Sequence, residues 1–271
     1  MFLKIFKYEF KSVLKVMIIT IAVSAGLALL LGTFVRILNG IAAKATNPNV
    51  LVYLSLVSGF MTTIARLGIS AALVVQEIIL FIRFYKSVSS DEAYLTFTLP
   101  ATAKEQHRSR TLVVLLWGLI SAAVMLVDLF IFEALAYGNS EYGGIISEFR
   151  AMLRFTDIPV ILFLEIGVLE ILSDLVIGLE IMLAIMVANK VASKFKIGAT
   201  IGFIALFYYA QVAILLLSVV LLVMVFTSIE AFVANSLPFI EAALLGYIVV
   251  FALVGFLAFF FTGKLFEKIN V

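Results

Sequence analysis

Residues 198–226, GATIGFIALFYYAQVAILLLSVVLLVMVF, run for 29 positions without one Asp, Glu, Lys, Arg or His. A helix needs about 20 apolar residues to cross the roughly 30 Å of bilayer hydrocarbon, so this stretch alone reads as a membrane span. Working outward, five further apolar runs follow the same pattern, at about 16–37, 51–82, 111–136, 159–188 and 239–262. The punctuation between them is distinct: Asn47-Pro48-Asn49, Gly138-Asn139-Ser140 with Gly143-Gly144, Asn189-Lys190, and Asn235-Ser236-Leu237-Pro238. The composition agrees, with 64% hydrophobic and 13% charged residues among 271 and a mean hydropathy of +1.22, against about 45–50% and 25% in a soluble domain. The expected fold class is an all-α integral membrane protein, one transmembrane domain of six helices over 1–271.

The same composition excludes several chemistries. There is no Cys, hence no disulfide, thiolate metal site or cysteine nucleophile, and the single His107 leaves no room for a histidine metal cluster or a Ser-His-Asp triad. No Gly-x-x-x-x-Gly-Lys-Ser/Thr loop occurs, so the chain lacks the backbone cradle that would hold ATP phosphates. It is not expected to be an enzyme, and no cofactor is expected in it.

Orientation follows from the basic residues, because short Lys- and Arg-rich loops stay on the cytoplasmic side. With both termini inside, 14 basic residues fall inside and four (Arg36, Lys44, Arg150, Arg154) outside, with Arg66 left within a span. The first apolar stretch is longer than a signal-peptide core and runs into more membrane sequence, so no cleavable leader is expected. Lys4, Lys7, Lys11 and Lys15 recur at three- and four-residue spacing opposite Phe2, Phe6, Phe10 and Val13. That pattern predicts an N-terminal amphipathic helix lying in the anionic headgroup layer; the alternative is a set of lysines snorkelling from an ordinary first span. Ile145, Phe149, Met152 and Leu153, interleaved with charges, suggest a second short amphipathic helix at the other interface.

The longest polar connection, 83–110, carries the most ordered local signals. Ser89 with Glu92 and Thr102 with Glu105 each form the spacing of a capping box, and Pro100 stops helix between them. A short helix of about two turns, a break, and a second helix that runs on into the third span are therefore expected. Tyr94, Leu95, Phe97 and Leu99 are too apolar for a solvated loop and should dock, either on a partner protein or back on the bilayer and the chain's own helix ends.

These residues also carry a resemblance. Phe84-Tyr85-Lys86, Asp91-Glu92-Ala93-Tyr94-Leu95 and Phe97-Thr98-Leu99-Pro100, together with Lys7-Tyr8-Glu9-Phe10-Lys11, resemble the permease subunits of ABC-2-type exporters of Gram-positive bacteria. Those related to lantibiotic-immunity and phenol-soluble-modulin exporters are similar, with Ala93 standing where their run has glycine. The resemblance implies a coupling helix, with Ser89, Asp91, Glu92, Tyr94, Leu95, Phe97 and Leu99 contacting a separate cytoplasmic ATPase subunit that holds ATP and Mg. It also implies a second copy or a related permease as partner, an amphipathic peptide as cargo, and a multi-pass place in the bacterial plasma membrane. Nucleic acid is not among the expected partners.

Acidic residues within the spans form the second constellation: Glu77, Asp128, Glu133, Glu165, Glu170, Asp174, Glu180 and Glu241, against Arg66 alone. Ionisable groups at membrane depth are costly unless they face water or protein, which makes each a functional candidate. Glu77, Glu133, Glu180 and Glu241 lie toward helix ends and are expected to reach the interface. Arg66, Asp128, Glu165, Glu170 and Asp174 remain as candidates for the translocation path or an internal ion pair. Counting about 1.5 Å per residue places Arg66 level with Asp174 and Glu170, its expected partners. The excess of carboxylates fits a cationic cargo. Tyr208, Tyr209 and Gln211 read as buried packing in preference to cavity lining. Gly198 and Gly202, like Gly68 with Ala71 and Ala72, have the spacing of close helix contacts. A proton-coupled secondary transporter is the competing function, since deep acids serve proton relays; an intramembrane aspartyl protease is weaker, because neither Asp128 nor Asp174 has a Gly-x-Gly-Asp context.

Overall fold

The computed structural model describes residues 1–89, 101–138, 160–192, 194–225 and 236–269. Among these the chain forms α1 (Phe2–Ala42), α2 (Pro48–Ser89), α3 (Ala103–Tyr137), α4 (Val160–Val191), α5 (Lys196–Val225) and α6 (Ser236–Ile269), with no strand. All six are long and apolar enough to cross a membrane.

The helix ends follow local chemistry. At α2, the Asn47 side chain accepts the Asn49 amide at 3.0 Å and Pro48 takes the first helical position, where a missing N–H costs nothing. At α3 the predicted capping box forms: Thr102 N donates to Glu105 Oε2 at 3.2 Å, and Glu105 N donates to Thr102 Oγ1 at 3.3 Å. The same helix stops at Gly138, which holds φ at +60° and donates its amide to Ala134 O at 3.0 Å, a conformation that glycine adopts without a Cβ clash. Elsewhere the helices outrun the apolar stretches. α1 has 41 residues and α2 has 42, each about 60 Å long and twice the hydrocarbon thickness.

Two expectations change here. The amphipathic N-terminus is not a separate element: α1 is unbroken from Phe2 to Ala42, with Lys4, Lys7, Lys11 and Lys15 exposed and Ile5, Val13 and Met17 buried. The lysine stripe is thus the extension of the first long helix, because nothing in that stretch breaks its hydrogen-bond ladder. The polar connection also shortens at its start, since 83–89 belongs to α2, while the second helix runs on into the third span as expected, 103–110 being the first part of α3.

The chain divides into two compact units. One comprises Phe10–Leu80 with Trp117–Ile158. Its core joins Ala28 and Val35 of α1, Ala65 and Ile69 of α2, and Phe132 and Ala136 of α3. Small residues let the backbones approach: a Cβ at Gly32 would stand 3.0 Å from Leu135 Cβ and 3.1 Å from Phe132 O. Polar crosslinks run between the three helices. Gln76, fully buried, donates to Thr20 Oγ1 at 2.7 Å and accepts from Ser121 Oγ at 2.6 Å. Ser58 Oγ donates to Asn39 Oδ1 at 2.6 Å, and Asn39 Nδ2 donates to Ala136 O at 3.4 Å.

The other unit comprises Met1–Glu9, Phe81–Leu116 and Pro159–Val271. Phe84 and Val88 of α2, Val114 of α3, Met182, Ile185 and Met186 of α4, and Phe266 of α6 form its core. α4 packs on both α5 and α6. Its approach to α6 depends on Gly255, whose absent Cβ would meet Val176 Cγ2 at 2.9 Å. Gly198 and Gly202 of α5, by contrast, would meet nothing within 4 Å.

Candidate functional site

The two helix ends that flank residues 90–102 are tied to their surroundings by charge and by caps. Glu9, on the second turn of α1, accepts Arg110 Nε at 3.2 Å with Oε1, and its Oε2 lies 3.5 Å from Arg83 Nε. One carboxylate therefore links the end of α2 to the start of α3. Arg110 is 6% exposed and Glu9 13%, so this bridge is largely out of solvent. The Arg110 guanidinium also stands 5.5 Å from the centre of the Phe266 ring, on α6. One turn earlier on α3, buried His107 places Nε2 3.2 Å from Phe259 O and Nδ1 3.5 Å from Thr111 Oγ1. A carbonyl only accepts, so Nε2 carries the proton and Nδ1 receives the hydroxyl. The end of α2 is capped from α4, where Asn189 Nδ2 donates to Val88 O at 3.2 Å. Exposed pairs at the rim, Lys104 with Glu267 at 3.4 Å and the Met1 ammonium with Glu105 at 3.5 Å, add little by comparison.

Of the sequence-predicted coupling residues, Ser89 is the final residue of α2. Asp91, Glu92, Tyr94, Leu95, Phe97 and Leu99 lie outside the described residues, as do the second member of the Ser89 capping box and the amphipathic stretch around 145–154. The structure adds three residues to this region: Glu9, Arg83 and Arg110. Their charges were visible in the sequence, but a carboxylate about a hundred positions from its arginine has no local signature.

Arg66 takes a different partner from the expected Asp174 or Glu170. Its Nε and Nη2 donate to Glu133 Oε1 at 3.2 and 2.7 Å. Equal depth along two helices does not make them neighbours, and α3 supplies a carboxylate beside Arg66 in the same three-helix core. Glu133, expected at the interface, is 3% exposed. Next to this pair, Thr62 Oγ1 and Tyr137 Oη share a hydrogen bond at 3.1 Å. Asp128 is buried in this unit, and its Oδ2 has no hydrogen-bond partner. Glu165, Glu170 and Asp174 belong to α4 in the other unit, with Glu170 and Asp174 on exposed positions. The five candidates therefore divide between the two units.

A polar pair between α4 and α5 was missed. Gln211 Nε2 donates to Glu180 Oε2 at 2.7 Å, and both line an open groove with Ile177, Ile204, Phe207 and Tyr208. Tyr208 and Tyr209 are 60% and 70% exposed, so they are not buried packing. Among the described residues no three His, Asp or Glu side chains converge as metal ligands would.

Comparison with protein-family models, with the curated proteins and with the solved structures finds no match.

Proposed function

We propose that this chain is the transmembrane permease subunit of an ATP-driven, ABC-2-type exporter that moves amphipathic, cationic peptides out of a bacterial cell. Both termini face the cytoplasm, the protein lies in the plasma membrane, and it works with a second copy or a related permease. The observation that carries the reading is the Glu9 bridge. It links Arg83 near the end of α2 to Arg110 near the start of α3, the two helix ends that flank residues 90–102 in the sequence. A segment that receives force from another subunit must be anchored stiffly at both ends, or its movement is lost in local bending. Here α1, α4 and α6 all brace those ends, through Glu9, Asn189 and Phe266. Tyr94, Leu95, Phe97 and Leu99 supply the apolar contact, and the ATPase subunit supplies Mg-ATP hydrolysis that this sequence has no loop to perform.

Co-purification tests the proposal. The tagged full-length chain, expressed from its native genetic surroundings, should bring down a nucleotide-binding subunit. Changing Tyr94 and Leu95 to Ser should abolish that association while the chain remains folded. Purification of a monodisperse chain with no ATPase, or an association indifferent to the double substitution, would refute it. One observation favours a second reading, a proton-coupled transporter: Asp128 is 2% exposed with an oxygen that forms no hydrogen bond, as a proton-carrying acid would be. In that case transport would collapse with the proton gradient and survive ATP depletion.

A further inference from the structure

The groove between α4 and α5 is apolar except at one point. Ile177 and Ile181 of α4 face Ile204, Phe207 and Tyr208 of α5, and Glu180 with Gln211 provides the polar break. The tract continues past Gln211, which also lines an adjoining hollow formed with Tyr247, Phe251 and Val254 of α6. Neither lining contains Lys, Arg or His. Gln211 lies at the middle of α5 (Lys196–Val225), and Glu180 lies about 16 Å before the end of α4. Both are thus far from the helix ends of an apolar helix pair.

A carboxylate at that depth costs several kcal/mol unless water or a cation meets it, and the neutral amide of Gln211 offsets only part of that cost. The hydrogen bond does fix the carboxylate's direction. The result is an oriented negative acceptor set in an aliphatic and aromatic slot, which complements one kind of ligand: an ammonium or guanidinium carried beside apolar side chains. We propose that the Glu180–Gln211 groove is a binding site for the cationic amphipathic peptide, with Glu180 receiving a Lys or Arg side chain and Ile177, Ile204 and Phe207 covering its apolar neighbours. This rests on the peptide-exporter reading above, and it places one peptide subsite within a single chain.

The test uses the purified full-length chain in a non-ionic detergent and a fluorescein-labelled 18-residue Leu/Lys amphipathic helix, with a Leu/Gln helix of identical pattern as control. The wild type should prefer the Leu/Lys peptide. Glu180→Gln should weaken its binding at least tenfold, Glu180→Asp should retain most of it, and Glu267→Gln, at an exposed ion pair, should leave it unchanged. If Glu180→Gln does not fold, Ile204→Trp, which fills the groove from the α5 side, should give the same loss. A benzophenone placed at the peptide's centre should label the α5 fragment containing Ile204 and Tyr208. Equal binding of both peptides, undiminished binding by Glu180→Gln or Ile204→Trp, or chain-to-chain crosslinks from a photoreactive group at position 204 would overturn the proposal; the last would assign the groove to a second copy. Association with an ATPase subunit does not involve this groove. Its persistence in Glu180→Gln separates failure of the subsite from failure of the exporter reading.

Discussion

Replacing Glu9 with Gln tests the bridge between the ends of α2 and α3 directly. At an effective dielectric constant near 20, a carboxylate 3.2 Å from Arg110 Nε and 3.5 Å from Arg83 Nε has a Coulomb attraction of about 5 kcal/mol with each. Desolvation of the three groups cancels much of it, so the attraction is not the stability change. What matters is the state left behind. The substitution keeps the side chain's shape and removes its charge, leaving the guanidinium of Arg110, 6% exposed, without that counter-ion. Breaking a buried pair from one side costs about 3–5 kcal/mol. Arg83, 35% exposed as a whole side chain, is expected to add about as much as a surface pair, about 0.5 kcal/mol. The expected loss is about 3 kcal/mol, read from SDS-titration unfolding of the full-length protein in mixed micelles. Arg110→Met should be comparably costly. The double substitution should cost about 2 kcal/mol less than the sum of the two, because it removes both charges together. The loss should also change little between low and high salt, since a buried pair is weakly screened. A Glu9→Gln protein within about 0.5 kcal/mol of the wild type, or additive single losses, would refute the idea that this bridge fixes the ends of α2 and α3.

The Arg66–Glu133 pair should show asymmetry: Glu133 is 3% exposed and Arg66 38%, so Arg66→Ala should destabilise by at least 1 kcal/mol more than Glu133→Gln. Asp174→Asn should leave unfolding unchanged, and a loss equal to that of Arg66→Ala would restore Asp174 as the partner. At the α4–α6 contact, Gly255→Ala puts a Cβ 2.9 Å from Val176 Cγ2 and should cost about 1–3 kcal/mol. Val176→Ala should recover most of it, whereas Gly198→Ala and Gly202→Ala, with open space around them, should be neutral or slightly stabilising through helix propensity. A Gly255→Ala protein as stable as the wild type would show that the two helices are not held at that distance.

Glu105 and Gly138 illustrate what is legible locally. A capping box and a glycine stop depend on residues within four positions, so the start and end of α3 could be read from its letters. The Lys stripe of residues 4–15 shows the limit of such reading. Its amphipathic face was visible, but whether it forms its own helix depends on a break, and the sequence contains none before Ala42.

Helix class and helix number were determined by the sequence alone, because crossing hydrocarbon demands long apolar runs whatever their neighbours are. The exclusion of thiol chemistry rests on the same footing. Pairings between helices were decided only by the tertiary structure. Which carboxylate meets Arg66, and whether Glu180 ends at an interface or beside Gln211, depends on rotation and register between helices far apart in sequence. The same holds for the glycines: Gly198 and Gly202 have the expected spacing but open space where a Cβ would stand, while isolated Gly32 and Gly255 sit at tight contacts. A periodic pattern says that two helices can approach. Shape complementarity across the contact decides which of them do.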